Sequence, residues 1–251
     1  MSENNFIEFF DYKVDNLTME ETLLKIDNSI KSKQNIQHVV INVAKVVYGI
    51  NNKLLKDSIQ TADIVNIDGA GIIFGMKILG LKPKERVTGV DLMKELLKLS
   101  EKRGYTVYFL GSTNSILEKL LLNIKLKFPS LIIAGHRNGY WDNLEEEKVI
   151  VNNIADLKPN ILFVGISSPK KEYFISSNKE SLNSNLIMGV GGSFDIYANQ
   201  TKRAPLFLQN HGMEWLFRIY QEPKRMWKRY LITNTKYLLL LIKELFSSKK
   251  Q

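Results

Sequence analysis

Cysteine is absent from the 251 residues. Disulfides, thiolate nucleophiles and cysteine-ligated metal centres are thereby excluded, and a reducing compartment is the natural setting. Histidine is scarce. His38, His136 and His211 stand far apart with no metal-ligand spacing, so each reads as structural or surface. No two aspartates stand two residues apart, so there is no Asp-x-Asp metal clamp, and neither a Walker A pattern nor a nucleophile elbow occurs. Long hydrophobic runs are missing too. The longest late in the chain, Leu238 to Ile242, is far too short to span a bilayer. The polar, acidic start, MSENNFIEFFDYKVDN, lacks the cationic head, apolar stretch and small-residue cleavage site of a secretory leader.

What the chain does have is unevenly spread positive charge. The net charge is +9. From Thr201 to Gln251 there are 11 Lys/Arg against Glu214, Glu222 and Glu244, a balance of +8, while the first 200 residues balance to +1. In the stretch HGMEWLFRIYQEPKRMWKRY (211–230) the cations are interleaved with Trp215, Phe217, Tyr220, Trp227 and Tyr230. A merely solvated face rarely carries so many aromatic rings, so an anionic partner is expected there.

Upstream, apolar runs of strand length alternate with stretches of helical period. Strands are expected at 38–43, 62–68, 105–111, 131–135, 160–167 and 185–192, and helices at 91–104, 115–128, 144–158 and 170–180. Asp91 reads as a helix cap and Gly104 as the helix stop. Continuous apolar strands alternating with helices predict an α/β fold, a largely parallel Rossmann-like sheet sandwiched by helices. With 44% apolar residues the chain is large enough for one such core. From Pro205 onward the period is helical, and Pro223 is well placed to start a helix. The expected organisation is a Rossmann-like catalytic core over 1–200 and a basic, aromatic-rich helical appendage over 201–251.

In such sheets ligands bind beyond the carboxyl ends of the strands. Asn42, DGAG (68–71), GST (111–113), SSPKKE (167–172) and GGSFD (191–195) all fall there and could meet in one crevice. Asp68 is either a turn-forming cap or a general base facing that crevice. Arg86, before a glycine-containing turn, is either a surface ion-pair residue or a fork for a phosphate or carboxylate. Gly69, Gly71 and Gly75 imitate a dinucleotide fingerprint, but the spacing is one residue too long.

In order and spacing, DGAGIIFGMKILGLKPKERVTGVDLMKELL, YFLGST, VGISSPKKEYF, MGVGGSFDIYANQTKRAP and the 211–230 stretch closely resemble the WecG/TagA/CpsF glycosyltransferases, glycosyltransferase family 26. The resemblance covers roughly residues 35–232. It implies an inverting transferase that needs neither metal nor cofactor. The enzyme would move N-acetylmannosamine, its uronic acid or another hexose from a UDP-sugar to a polyprenyl-diphosphate-linked sugar in polysaccharide or teichoic acid synthesis. It implies Asp68 as catalytic base and Arg86 as a catalytic cation. Asn42, Gly69, Gly71, Lys171, Glu172, Gly191, Gly192 and Asp195 would lie in the nucleotide-sugar site, and Arg203, Arg218, Arg225 and Arg229 would close over it and meet the lipid diphosphate. The implied location is cytoplasmic, at the inner face of the cell membrane and held there peripherally. A homo-oligomer is left open.

Three positions depart from the family pattern. Val40 replaces a threonine, Lys171 a glutamine, and Asn199 a glycine. They imply a lost hydroxyl, a donor that is anionic or otherwise different, and an altered turn. The rival functions are a nucleic-acid-binding module, since the tail is basic and aromatic, a nucleotide-binding oxidoreductase, and a family member that has lost catalysis.

Overall fold

The computed structural model describes residues 6–248. The first five residues of the polar start and the last three of the basic tail lie outside that range. A hairpin, β1 (Phe6–Phe9) and β2 (Tyr12–Asp15), leads to α1 (Met19–Lys31) and then β3 (Ile36–Ile41), α2 (Val43–Gly49), α3 (Lys53–Gln60), β4 (Ile64–Ile67) and α4 (Ala70–Ile78). Next come α5 (Gly89–Arg103), β5 (Thr106–Gly111), α6 (Asn114–Lys127), β6 (Ile132–Arg137), α7 (Leu144–Leu157), β7 (Ile161–Gly165), α8 (Lys170–Asn178), β8 (Leu186–Gly189) and α9 (Ser193–Tyr197). The chain closes with α10 (Leu206–Asn210), α11 (Glu214–Gln221) and the long α12 (Pro223–Ser248).

Strands β3 to β8 form one parallel sheet in the order β4-β3-β8-β7-β5-β6. The six expected strands are all present, with ends shifted by a few residues. Both faces are covered over β3, β4, β5, β7 and β8, which explains their unbroken apolar runs, while the edge strand β6 is only partly covered. In β5, Val107 and Phe109 enter the core beneath α1, α5 and α6, while Tyr108 and Leu110 enter the opposite core beneath α7 and α8. The alternation is the two-residue period of a strand.

The N-terminal hairpin and helices α1 to α3 are additions to the expected elements. The hairpin buries Phe9, Tyr12 and Val14 in a third core with Val39, Ile41, Ile67 and Ile72. Helix α1 opens with a capping box: Thr18 accepts from the Glu21 amide at 3.1 Å, and the Thr18 amide donates to Glu21 Oε2 at 2.8 Å. Gly104 ends α5 in the left-handed conformation, as expected, but Asp91 is not its cap. Thr88 is, and its hydroxyl also donates to Asp91 Oδ2 at 2.7 Å. The carboxylate of Asp91 is thereby turned toward Arg203.

Helix α12 packs on α2 and on the start of α4, burying Tyr237 and Leu241 in the hairpin core. The Tyr237 hydroxyl donates to the Gly71 carbonyl at 3.0 Å. A β-carbon at Gly75 would run into that hydroxyl and stand 3.0 Å from Leu241 Cδ2, so glycine is what lets the helices close.

Gly111 has φ 139°, and a β-carbon there would sit 2.5 to 2.7 Å from the Gly165 backbone. Gly111→Ala combines left-side backbone strain with a clash that no side-chain rotation relieves. It is expected to destabilise the fold by at least about 2 kcal/mol, lowering Tm by roughly 4–8 °C in a thermal melt.

Candidate active site

The carboxyl ends of all six parallel strands open onto one cleft of about 710 Å³. Asn42 follows β3, Asp68 follows β4, and Gly191 and Gly192 follow β8. Ser167 and Ser168 follow β7, Ser112 and Thr113 follow β5, and Gly139 and Tyr140 follow β6. Helix starts at α2, α5 and α6, capped by Asn42, Thr88 and Thr113, also line the cleft. Their free amide ends give it a positive lean before any side chain is counted. The fourth wall is the tail, since Glu214 and Arg218 of α11 and Arg225, Met226 and Arg229 of α12 face the same space.

Of the residues expected at the site, nine meet in the cleft: Asn42, Asp68, Lys171, Gly191, Gly192, Asp195, Arg218, Arg225 and Arg229. Asn42 spends its Oδ1 on the Lys45 amide at 3.1 Å. Asp68 is half-buried, with its own amide tied to the Ile41 carbonyl at 2.8 Å. Burial raises its pKa, and Glu214 adds to this, while Arg218, Arg86 and Lys45 pull the other way. Asp195 is likewise raised by burial, against the pull of Arg225. Arg225 pairs with Glu222 at 2.7 Å. Neither Arg218 nor Arg229 has a side-chain hydrogen bond or ion pair among the described residues.

Five expected residues lie elsewhere. Arg86 faces the tail, 3.7 Å from Glu214 Oε2 and 3.5 Å from the Gln209 carbonyl. It acts on Asp68 through space and pins α10 and α11 to the core. Arg203 is committed to Asp91 by a two-pronged ion pair, with Nη2 to Oδ2 at 2.6 Å. That pair anchors the root of the tail to α5 rather than offering a guanidinium to a diphosphate. Gly69 opens α4 at φ 97°. Gly71 lacks a side chain because Val43 Cγ2 would stand 2.7 Å from one, so packing and not ligand approach accounts for it. Glu172 is buried beneath the cleft between two lysines. Burial alone would raise its carboxyl, but Lys45, Lys171 and the Ser168 hydroxyl hold it far below the usual range.

Val40 lines the cleft, so the departure there bears on whatever binds. Asn199 stands at φ 56°, and asparagine enters that region more readily than other side chains, so the turn is made without glycine. His38 lies within β3 rather than at its start, wholly buried, with Nε2 2.9 Å from Asn66 Oδ1. Burial pushes its pKa down to about 4, so it is a neutral structural group. Tyr230 packs against Trp215, ring centroids 5.9 Å apart, instead of facing outward. Sequence pattern missed Lys45, Glu214 and Tyr140, all of which line the cleft. Glu214, four residues before Arg218 on a helix, carried a readable signal, since that spacing puts both on one face.

No helix among the described residues is long and apolar enough to cross a membrane. Nor, among those residues, do three or more His, Asp or Glu gather where they could hold a metal ion.

The chain matches the model of the glycosyl transferase WecG/TagA/CpsF family over residues 7–251. It is similar to the N-acetylglucosaminyldiphosphoundecaprenol N-acetyl-beta-D-mannosaminyltransferase of Staphylococcus aureus strain MW2, 32% identical over 214 residues, 84% of this chain and 83% of that one. It is also similar to the protein of the same name from Bacillus spizizenii, 29% identical over 192 residues, 76% of this chain and 73% of that one. A parallel sheet whose every strand end feeds one cleft, closed by an arginine-bearing tail, is thus the frame of a glycosyltransferase, and the chain belongs to the WecG/TagA/CpsF family.

Proposed function

We propose that this protein transfers a sugar from a UDP-sugar to a sugar carried on a polyprenyl diphosphate, with inversion and without a metal ion. The donor sugar is N-acetylmannosamine, its uronic acid or another hexose. The curated relatives are named for an N-acetylmannosamine transfer onto N-acetylglucosaminyldiphosphoundecaprenol, which supports the same acceptor class here. The observation that carries the proposal is the meeting of Asp68 with Arg218, Arg225 and Arg229 across a single cleft.

The chemistry follows from that meeting. The acceptor hydroxyl oxygen attacks the anomeric carbon as the bond from that carbon to the diphosphate oxygen breaks. The hydroxyl proton passes to the Asp68 carboxylate. Negative charge grows on the departing diphosphate and is met by guanidinium groups already in place. Exposed Tyr220 and Trp227, with Lys224 and Lys228 beside them, suit a peripheral seat at the headgroup level of a membrane. Each cation near an anionic leaflet contributes about 1 kcal/mol.

Incubation of the purified protein with a panel of UDP-sugars and a short-chain polyprenyl-diphosphate-linked sugar, in EDTA, tests this. One UDP-sugar is expected to be consumed, with a product of inverted anomeric configuration. Silence with every donor, or activity that EDTA abolishes, would refute the proposal.

A further inference from the structure

At the cleft floor lie three charged side chains that are almost wholly buried: Lys45 at 5% exposed, Lys171 at 6% and, just beneath them, Glu172 at 1%. Lys45 Nζ is well satisfied, bonded to the Val40 carbonyl at 2.8 Å and 2.9 Å from Glu172 Oε1. Lys171 Nζ stands 3.2 Å from the same oxygen. Two ammonium groups therefore share one carboxylate oxygen. Lys171 has three N–H donors and that single partner among the described residues. Buried charge is ordinarily matched one for one, because an uncompensated ion far from water is costly.

The setting of Lys171 shows where the missing partner would sit. Its stem runs over Gly189, where a β-carbon would stand 2.5 Å from Cε and 2.7 Å from Cδ. Its nitrogen lies 4.0 Å from the place of a β-carbon on Gly191. Glycine at 189 leaves room for the stem to reach the cleft, and Lys171, Gly189 and Gly191 all line that cleft. Asp68 acts on Lys171 from elsewhere in the cleft but makes no ion pair with it, and burial depresses the lysine's pKa despite both carboxylates.

We propose that Lys171 binds an anionic oxygen of the nucleotide-sugar donor, and that Lys45 and Glu172 hold it in place to do so. The oxygen belongs either to the diphosphate or to a carboxylate on the sugar, and the two share the same recognition chemistry. The position deepens the proposed function, on whose donor class it rests. It also gives the lysine at 171 a role in choosing the donor.

Binding of uridine, UDP, UDP-glucose and UDP-glucuronate to the full chain and to its Lys171→Gln and Lys171→Met variants, by calorimetry, separates the outcomes. Thermal melts identify which variants are folded, and with two variants the removal of a buried charge does not decide the result through misfolding. An ionic hydrogen bond lost from a buried site corresponds to a drop on the order of 10- to 100-fold in affinity. A drop of that size for UDP and both UDP-sugars, with uridine unchanged, assigns Lys171 to the diphosphate. A drop confined to UDP-glucuronate assigns it to a sugar carboxylate. Unchanged affinity for all the charged ligands, or an equal loss for uridine, overturns the proposal. If sugar transfer is observed while the variants bind as the parent does, the lysine assignment alone fails. If the ligands bind and depend on Lys171 but no sugar is transferred, the proposed function fails and the anion site stands.

Discussion

Asp68→Asn is expected to lower the rate of sugar transfer by about 10²–10⁴-fold and to leave the affinity for UDP within about twofold. Asparagine keeps the shape of the side chain at the end of β4 but cannot accept the acceptor's proton. The fold has little reason to notice, because the hydrogen bond that fixes the turn is made by the Asp68 amide to Ile41. The pH dependence carries a second signature. Burial and Glu214 raise the Asp68 pKa above the usual carboxylate range. The base must be ionised to work, so kcat/KM should climb with pH through that raised value, and the climb should vanish from any residual activity of Asp68→Asn. A variant with parental turnover would remove Asp68 from the chemistry.

Arg218→Ala is expected to lower kcat by about 10²–10³-fold, the scale set by loss of one preorganised group facing developing negative charge. Its guanidinium makes no hydrogen bond or ion pair among the described residues and acts on Asp68 only through space, so the melting temperature should change little. This contrasts with Arg203, whose bond to Asp91 holds the tail's root and whose loss should appear first in stability. Arg218 is also the principal group lowering the Asp68 pKa. Without it that pKa rises further, so the acid limb of the pH profile should move to higher pH. The shift in the limb, measured across a buffer series, distinguishes a charge acting on the base from a residue that merely shapes the helix. Retention of full kcat by Arg218→Ala would leave Arg218 without a catalytic role.

Much of this is legible in the amino-acid sequence alone. Five of the six strands announce themselves because they are buried on both faces, the edge strand β6 being only partly covered, and strand-end polar clusters point to the crevice because that is where a parallel sheet leaves its backbone open. The N-terminal hairpin was not legible. Its strands are four residues each, and their alternation is too brief to stand out from the polar stretch around them. Helices α2 and α3, seven and eight residues long, are only about two turns each, too short for a period to stand out in the sequence, and asparagine caps fix where they start.

At the site, residues fixed by backbone position were readable, as with Asp68 and Asn42. Residues whose meaning depends on a distant partner were not. Arg203 and Asp91 are 112 residues apart, and only the folded chain reveals that each has claimed the other. Lys45 was hidden for the same reason. Alone it is one more lysine on a helix, and its burial against Glu172 depends on a strand and helix that arrive more than a hundred residues later.

The clasp of Tyr237 on Gly71 decides which part of the molecule is free to move. Residues 69–71 follow directly on Asp68, so a swing of α12 outward would pull on the strand end that carries the Asp68 carboxylate. That helix is therefore a fixed post.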